Sequence, residues 1–134
     1  MFKFIKLIVF TSLLSFSMTV KSSVHDFALP LTCSEEMSTL VKQHPESLVV
    51  HVKGLVCSSC AIGIRLKLSK LDGVDISKFS NGIKLDSSNQ YVILAVKNNV
   101  DFNQVFKSIK LAGYDPLNLC YLNGEKIEKI KYNI

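Results

Sequence analysis

Tryptophan is absent from this 134-residue chain, and proline and glycine are scarce at three and six residues. That scarcity excludes collagen-like and proline-rich extended chains, and a hydrophobic content of 48% excludes a disordered polar tract. No internal repeat or low-complexity segment occurs, which excludes a solenoid. The chain also lacks a phosphate-cradling glycine loop, paired carboxylates and any evident nucleophile–base set, so its sequence argues for binding rather than catalysis. Its length suits one compact domain with an appendage or two.

Long hydrophobic runs are missing as well. The most apolar stretch, residues 7–20, is diluted with Ser and Thr and falls short of the ~20 apolar residues that span hydrocarbon. It follows Lys3 and Lys6 and precedes Val20-Lys21-Ser22, the layout of a secretory signal peptide over residues 1–22. Pro30-Leu31-Thr32 before Cys33 is a poor lipoprotein signal and lies too far along the chain. A periplasmic location is therefore expected, with membrane attachment only through an uncleaved leader. Loss of Lys3, Lys6 and Lys21 with that segment lowers the formal net charge from +5 to +2. The remaining bases are scattered, so nucleic acid is not an expected partner.

Beyond the leader the pattern is mixed. Thr32-Cys33-Ser34-Glu35 has capping-box spacing, predicting a helix through Gln43 with Met37, Leu40 and Val41 on its apolar side. His44-Pro45 ends it. Residues 48–53 are a Val-rich strand with Val50 and Val52 facing one side and Val49 and His51 the other. A loop then leads into a helix over residues 60–71, where Ile64, Leu68 and Leu71 form a buried stripe and Asp72-Gly73 is the stop. Strands over 83–85 and 91–96 flank the polar turn Ser87-Ser88-Asn89-Gln90. Asp101 caps a further helix with Phe102, Val105, Phe106 and Ile109 inward, Val100 stapled against Val105, and Gly113 at its end. A strand over 117–122 turns at Asn123-Gly124 into a last strand from about Lys126. The order β-α-β-β-α-β predicts an α+β, ferredoxin-like sandwich, an antiparallel sheet with two helices on one face. An N-terminal helix precedes it and a C-terminal hairpin strand follows.

Chemistry concentrates at Cys57-Ser58-Ser59-Cys60, a C-x-x-C between a strand and a helix. Two sulfurs three residues apart on a tight loop can converge on one ion, and a helix start favours the thiolate form. Such a pair suits soft ions, whereas structural zinc wants four ligands. The same spacing also serves a redox dithiol or a structural disulfide. Flanking residues narrow the choice. Val52, Gly54, Leu55, Val56, Cys57 and Cys60, then Ile64, Leu68, Leu71, Gly73 and Val74, with Ile109, Ala112, Gly113 and Tyr114 later, resemble the heavy-metal-associated domain over residues 48–119. With the leader, the chain is similar in kind to periplasmic mercury-binding proteins and small copper chaperones.

The resemblance implies Cys57 and Cys60 as ligands of a heavy-metal cation, Cu(I) or Hg(II). It implies Tyr114 as the aromatic beside the site, and a membrane metal transporter or another thiolate carrier as partner. Two departures stand out: Leu55 replaces the usual Met, an apolar swap of similar volume, and residues 75–82 look like an insertion or bulged edge. The rival reading is a periplasmic thiol–disulfide oxidoreductase using the same pair.

Cys33 and Cys120 lie outside the motif. A bridge between them would tie the 23–47 extension to the 120–134 hairpin, while the alternative makes one of them a third ligand or a resolving thiol. Cleavage after Ser22 would place His25 third in the mature chain, where amine, amides and imidazole could form a square-planar Cu(II) site. His51 reads as an exposed sheet residue and His44 as solvated, and Lys53, Arg65 and Lys67 read as a solvated face.

Overall fold

The computed structural model describes residues 33–57 and 61–133; the expected leader and His25 lie outside the described residues. In chain order the elements are α1 (Glu35–Gln43), β1 (Ser47–Lys53), α2 (Ile62–Leu68), β2 (Ile83–Asp86), β3 (Tyr91–Ala95), α3 (Phe102–Leu111), β4 (Asp115–Asn123) and β5 (Lys126–Lys131). They form one antiparallel sheet in the order β2-β3-β1-β4-β5. Removing β5 leaves a four-stranded sheet in which β1 and β3 are central. That is the split βαβ, ferredoxin-like arrangement expected from the element order.

β1 carries the architecture. It pairs β3 on one side, with Val50 opposite Val92, and β4 on the other, with Val50 opposite Leu119. Alternation along the strand sends Val50 and Val52 into a core with Ile64, Leu68, Phe106 and Ile109 from α2 and α3. Val49 points the other way, into a second cluster with Met37, Val41, Ile93 and Cys120. The N-terminal helix therefore covers the second face of the sheet, and the protein has three layers rather than two. This explains why Tyr91-Val92-Ile93-Leu94-Ala95 is buried at every position instead of alternating: both of its faces are covered.

Local signals explain most boundaries. The cap of α1 is Ser34 rather than Thr32, its hydroxyl accepting from the Met37 amide at 3.2 Å. Glu35 and Glu36 in the first turn and Lys42 in the last complement the helix dipole. Burying Met37 and Val41 fully contributes roughly 1.5–3 kcal/mol each. Helix α2 is shorter than expected at both ends. It starts at Ile62, capped by the backbone of Ala61 without a side-chain bond, and gives way at Ser69 to tight turns in which Leu71 N–H donates to the Leu68 carbonyl. Asp101 caps α3 as expected, accepting from the Asn103 amide at 2.9 Å.

The two extensions are built into the body. Cys33 and Cys120 are joined by a disulfide that closes 87 residues of chain, pinning the start of α1 to the middle of β4. Strand β4 runs unbroken through the expected boundary at residues 119 and 120. Tyr121 on β4 stacks on Phe102, and Tyr132 after β5 packs on Phe106, so the hairpin lengthens the floor under α3. The hairpin register differs by one residue from expectation. Asn123 pairs with Lys126, making Gly124-Glu125 the two-residue turn, and Gly in the first central position suits a type II′ turn.

Residues 75–82 form a folded insertion rather than a bulge. The Asp75 carboxylate accepts from the Ser77 amide and hydroxyl, and Ala95 N–H donates to the Gly82 carbonyl, fastening the insertion to the end of β3. Lys78 forms an ion pair with Glu46, and Phe79 meets His44 edge to face. His44 is thus a packing residue of the α1–β1 connection.

The bridge constrains the unfolded chain over a long loop. Replacing Cys33 and Cys120 together by Ala should lower the unfolding free energy by about 2–4 kcal/mol, read from urea unfolding, with a steeper slope because the unbridged denatured chain exposes more surface.

Candidate functional site

The site grows from the C-terminal end of β1. Two bonds to one residue of the β2–β3 turn fasten that end: the Gln90 carbonyl accepts from Val52 N–H, and its side-chain oxygen accepts from Gly54 N–H, each at 2.8 Å. Gln90 itself holds a positive φ of 59°. It is a positioning residue, although by sequence it is only one member of the polar turn Ser87-Ser88-Asn89-Gln90. No local signal could have found it, because its contact lies 36 residues away in the chain.

Gly54 turns the chain out of the sheet at φ +94°, a conformation that side-chain-bearing residues rarely adopt. Leu55 then drops into the core and is fully buried, whereas Val56 is 80% exposed. Leu55 thus fills the anchor position where the resembled family has Met. Cys57 follows on the rim of the loop, half-buried. The chain re-enters the core at Ala61, also fully buried, just before α2. The loop is held by a buried residue at each side of the Cys pair. Cys60, with Ser58 and Ser59, lies outside the described residues.

Tyr114 reaches the same place from another element. At the end of α3, Gly113 N–H donates to the Lys110 carbonyl at 3.0 Å and Tyr114 N–H to the Ile109 carbonyl at 3.3 Å. Those are the two bonds of a Schellman motif, with Gly113 at φ +92° as its left-handed residue. The motif delivers Tyr114 to the position just before β4, whose first residue Asp115 pairs with Lys53. The Tyr114 ring consequently sits beside the loop's hinge, with Cδ1 3.8 Å from where a Gly54 Cβ would lie. Cys57 and Tyr114 therefore belong to one end of the sheet.

The other candidate residues are elsewhere. Cys33 and Cys120 are bonded to each other on the α1 face of the sheet, away from α2. His51 is half-buried rather than exposed, its ring edge to face with Tyr91 at 5.4 Å. Burial, and then the charge of Lys129, lower its pKa. Lys53 leaves β1 exposed, while Arg65 and Lys67 stand in the last turn of α2. Among the described residues no group of three or more His, Cys, Asp or Glu side chains could hold a metal ion.

No family model and no curated protein matches the chain. Among solved structures, it is similar to a CopZ metallochaperone at 22% identity and a TM-score of 0.45, over 53% of this chain and 98% of that one. It is also similar to the yeast copper transporter domain Ccc2a in the apo and Cu(I)-loaded states. One solution structure of that domain gives 19% identity and a TM-score of 0.44, over 63% of this chain and 94% of that one. A second gives 21% and 0.44, over 53% and 90%.

Two expectations follow from the site's surroundings. Gly54→Ala makes only an ordinary contact, with Tyr114 Cδ1 at 3.8 Å, but holds an unfavourable φ, so it should cost about 1–2 kcal/mol in denaturant unfolding. For His51, the folded state resists a proton that the unfolded chain accepts near pH ~6.5. Its contribution to stability should be complete above that pH and be lost as pH falls below it. In melting curves from pH 7 to pH 5, His51→Gln should show a shallower loss than the parent.

Proposed function

We propose that this protein is an exported, non-enzymatic carrier of a soft metal ion, Cu(I) or Hg(II), held between the thiolates of Cys57 and Cys60. The observation that carries the reading is the loop itself. Gly54 and Leu55 present Cys57 at the end of the central strand, and Tyr114 is placed beside the hinge by an independent element. The resemblance of this loop and its following helix to the heavy-metal-associated domain supports it, with Tyr114 shielding the cargo from water. The Cys33–Cys120 disulfide supports an oxidising compartment such as the periplasm.

A dithiolate whose Cys57 stands half-buried on the rim of the loop is suited to both capture and release. An incoming thiolate from a membrane transporter or another carrier forms a sulfur–metal bond as one of the protein's own breaks. The ion keeps its oxidation state and each departing sulfur regains a proton. The incoming thiolate is the nucleophile of this ligand substitution, and the exchange calls on no nucleophile–base set of the protein's own.

The test is metal titration of the chain from Ser23 onward under mild anaerobic reduction, with Cu(I) and Hg(II) each competed against a chelator. One ion per chain, lost in Cys57→Ser/Cys60→Ser, is the expected result, and the tighter ion identifies the cargo. Undiminished uptake by that variant would contradict the reading. Reduction of insulin without metal uptake would replace it with thiol–disulfide exchange.

A further inference from the structure

The two helices on the site's side of the sheet carry an outer face that neither core explains. Buried Ile64 and Leu68 fix the orientation of α2 and turn Ile62 and Leu66 outward, 56% and 57% exposed. Buried Val105, Phe106 and Ile109 likewise turn Lys107 and Leu111 outward, and Leu111 is 65% exposed. The helices run in opposite directions and meet where Gly63 faces Ala112, a Gly63 Cβ lying 3.8 Å from that of Ala112. Ile62 and Leu111 therefore share the end from which Val56 and Cys57 project.

The charge on this face has one sign. No Asp or Glu occurs from residue 55 to 71 or from 102 to 114, while Arg65, Lys67, Lys70, Lys107 and Lys110 do. Acidic groups appear only at its borders, with Asp72 and Asp101 at the far end and Asp115 paired with Lys110. Like charge disfavours a second copy of this chain as the occupant. The composition also discriminates between other partners. Protein interface cores are enriched in aromatics and Arg and depleted in Lys. Exposed aliphatic side chains ringed by Lys are instead the make-up of a surface that inserts shallowly among anionic headgroups.

We propose that the outer face of α2 and α3 docks this protein on an anionic phospholipid surface, with Val56, Ile62, Leu66 and Leu111 entering the headgroup region. Among the described residues no helix is long and apolar enough to cross a membrane, so the contact is peripheral. It would bring the Cys57 loop to the bilayer, and it stands whether or not the loop carries metal.

The experiment is co-sedimentation of the chain from Ser23 onward, which holds every described element, with two kinds of vesicle. One is phosphatidylcholine alone and the other contains about one-third phosphatidylglycerol. The anionic vesicles should bind at least about tenfold more tightly, and added salt should erase the difference. Ile62→Ser/Leu66→Ser and, separately, Lys67→Glu/Lys107→Glu should each weaken binding at least about tenfold. All four residues lie outside the buried core, so both variants should melt like the parent. Cys57→Ser/Cys60→Ser should bind vesicles as the parent does, which separates this result from metal uptake. Equal partition to both vesicle types, or charge variants that bind unchanged, would overturn the proposal. Binding to soluble polyglutamate without binding to vesicles would also overturn it, in favour of an acidic protein partner.

Discussion

Everything in this molecule hangs on β1 being held from four directions. It has hydrogen-bonded neighbours on both edges, α2 and α3 over one face and α1 over the other. A strand so enclosed cannot shift register without exposing one core or the other, since a slip of one residue exchanges its faces. The loop that leaves its C-terminal end inherits that rigidity. Gln90 from the β2–β3 turn and Tyr114 from the end of α3 close on the same hinge, so three segments distant in sequence agree on where Cys57 stands.

The extensions give that rigidity a second source. In a two-layer sandwich the face bearing Val49, Ile93 and Cys120 would meet water. Here α1 covers it, and the disulfide from Cys33 keeps the helix there even though its own packing is small. The insertion at residues 75–82 joins the same region by resting Phe79 on His44 and pairing Lys78 with Glu46. The larger core still lies on the loop side, under α2 and α3, and the disulfide and these contacts reinforce the smaller core on the far face. The loop side is left with an exposed rim and a cationic, aliphatic helix surface.

Much of this was legible in the residues because local chemistry and tertiary packing agree. The Val-rich strand, the Asp101 cap and the hairpin near Asn123-Gly124 lie close to where patterning places them, and the element order names the sheet topology. The errors have physical causes. Thr32 and Ser34 can both cap, and only packing of Met37 and Val41 against the sheet selects Ser34. Helix α2 ends at Leu68 because Leu71, although in helical register, is reached through turns. The face taken by α1 was unreadable, since an apolar stripe does not say which side of a sheet it will cover. At the site, Cys57, Cys60 and Tyr114 could be singled out by spacing and resemblance. Gln90 could not, because a side-chain oxygen reaching a backbone amide 36 residues away leaves no pattern.

The proposed carrier role requires that the ion be held by sulfur and little else. The most direct measurement is X-ray absorption at the metal edge of the loaded protein, which counts the atoms bound to the ion. Two sulfur neighbours and no nitrogen is the expected result, since the bridged Cys33 and Cys120 and the half-buried His51 stand apart from the loop. Three or more sulfurs, or a histidine nitrogen in the shell, would contradict the two-thiolate site and mean that the ion is held by a different set of residues.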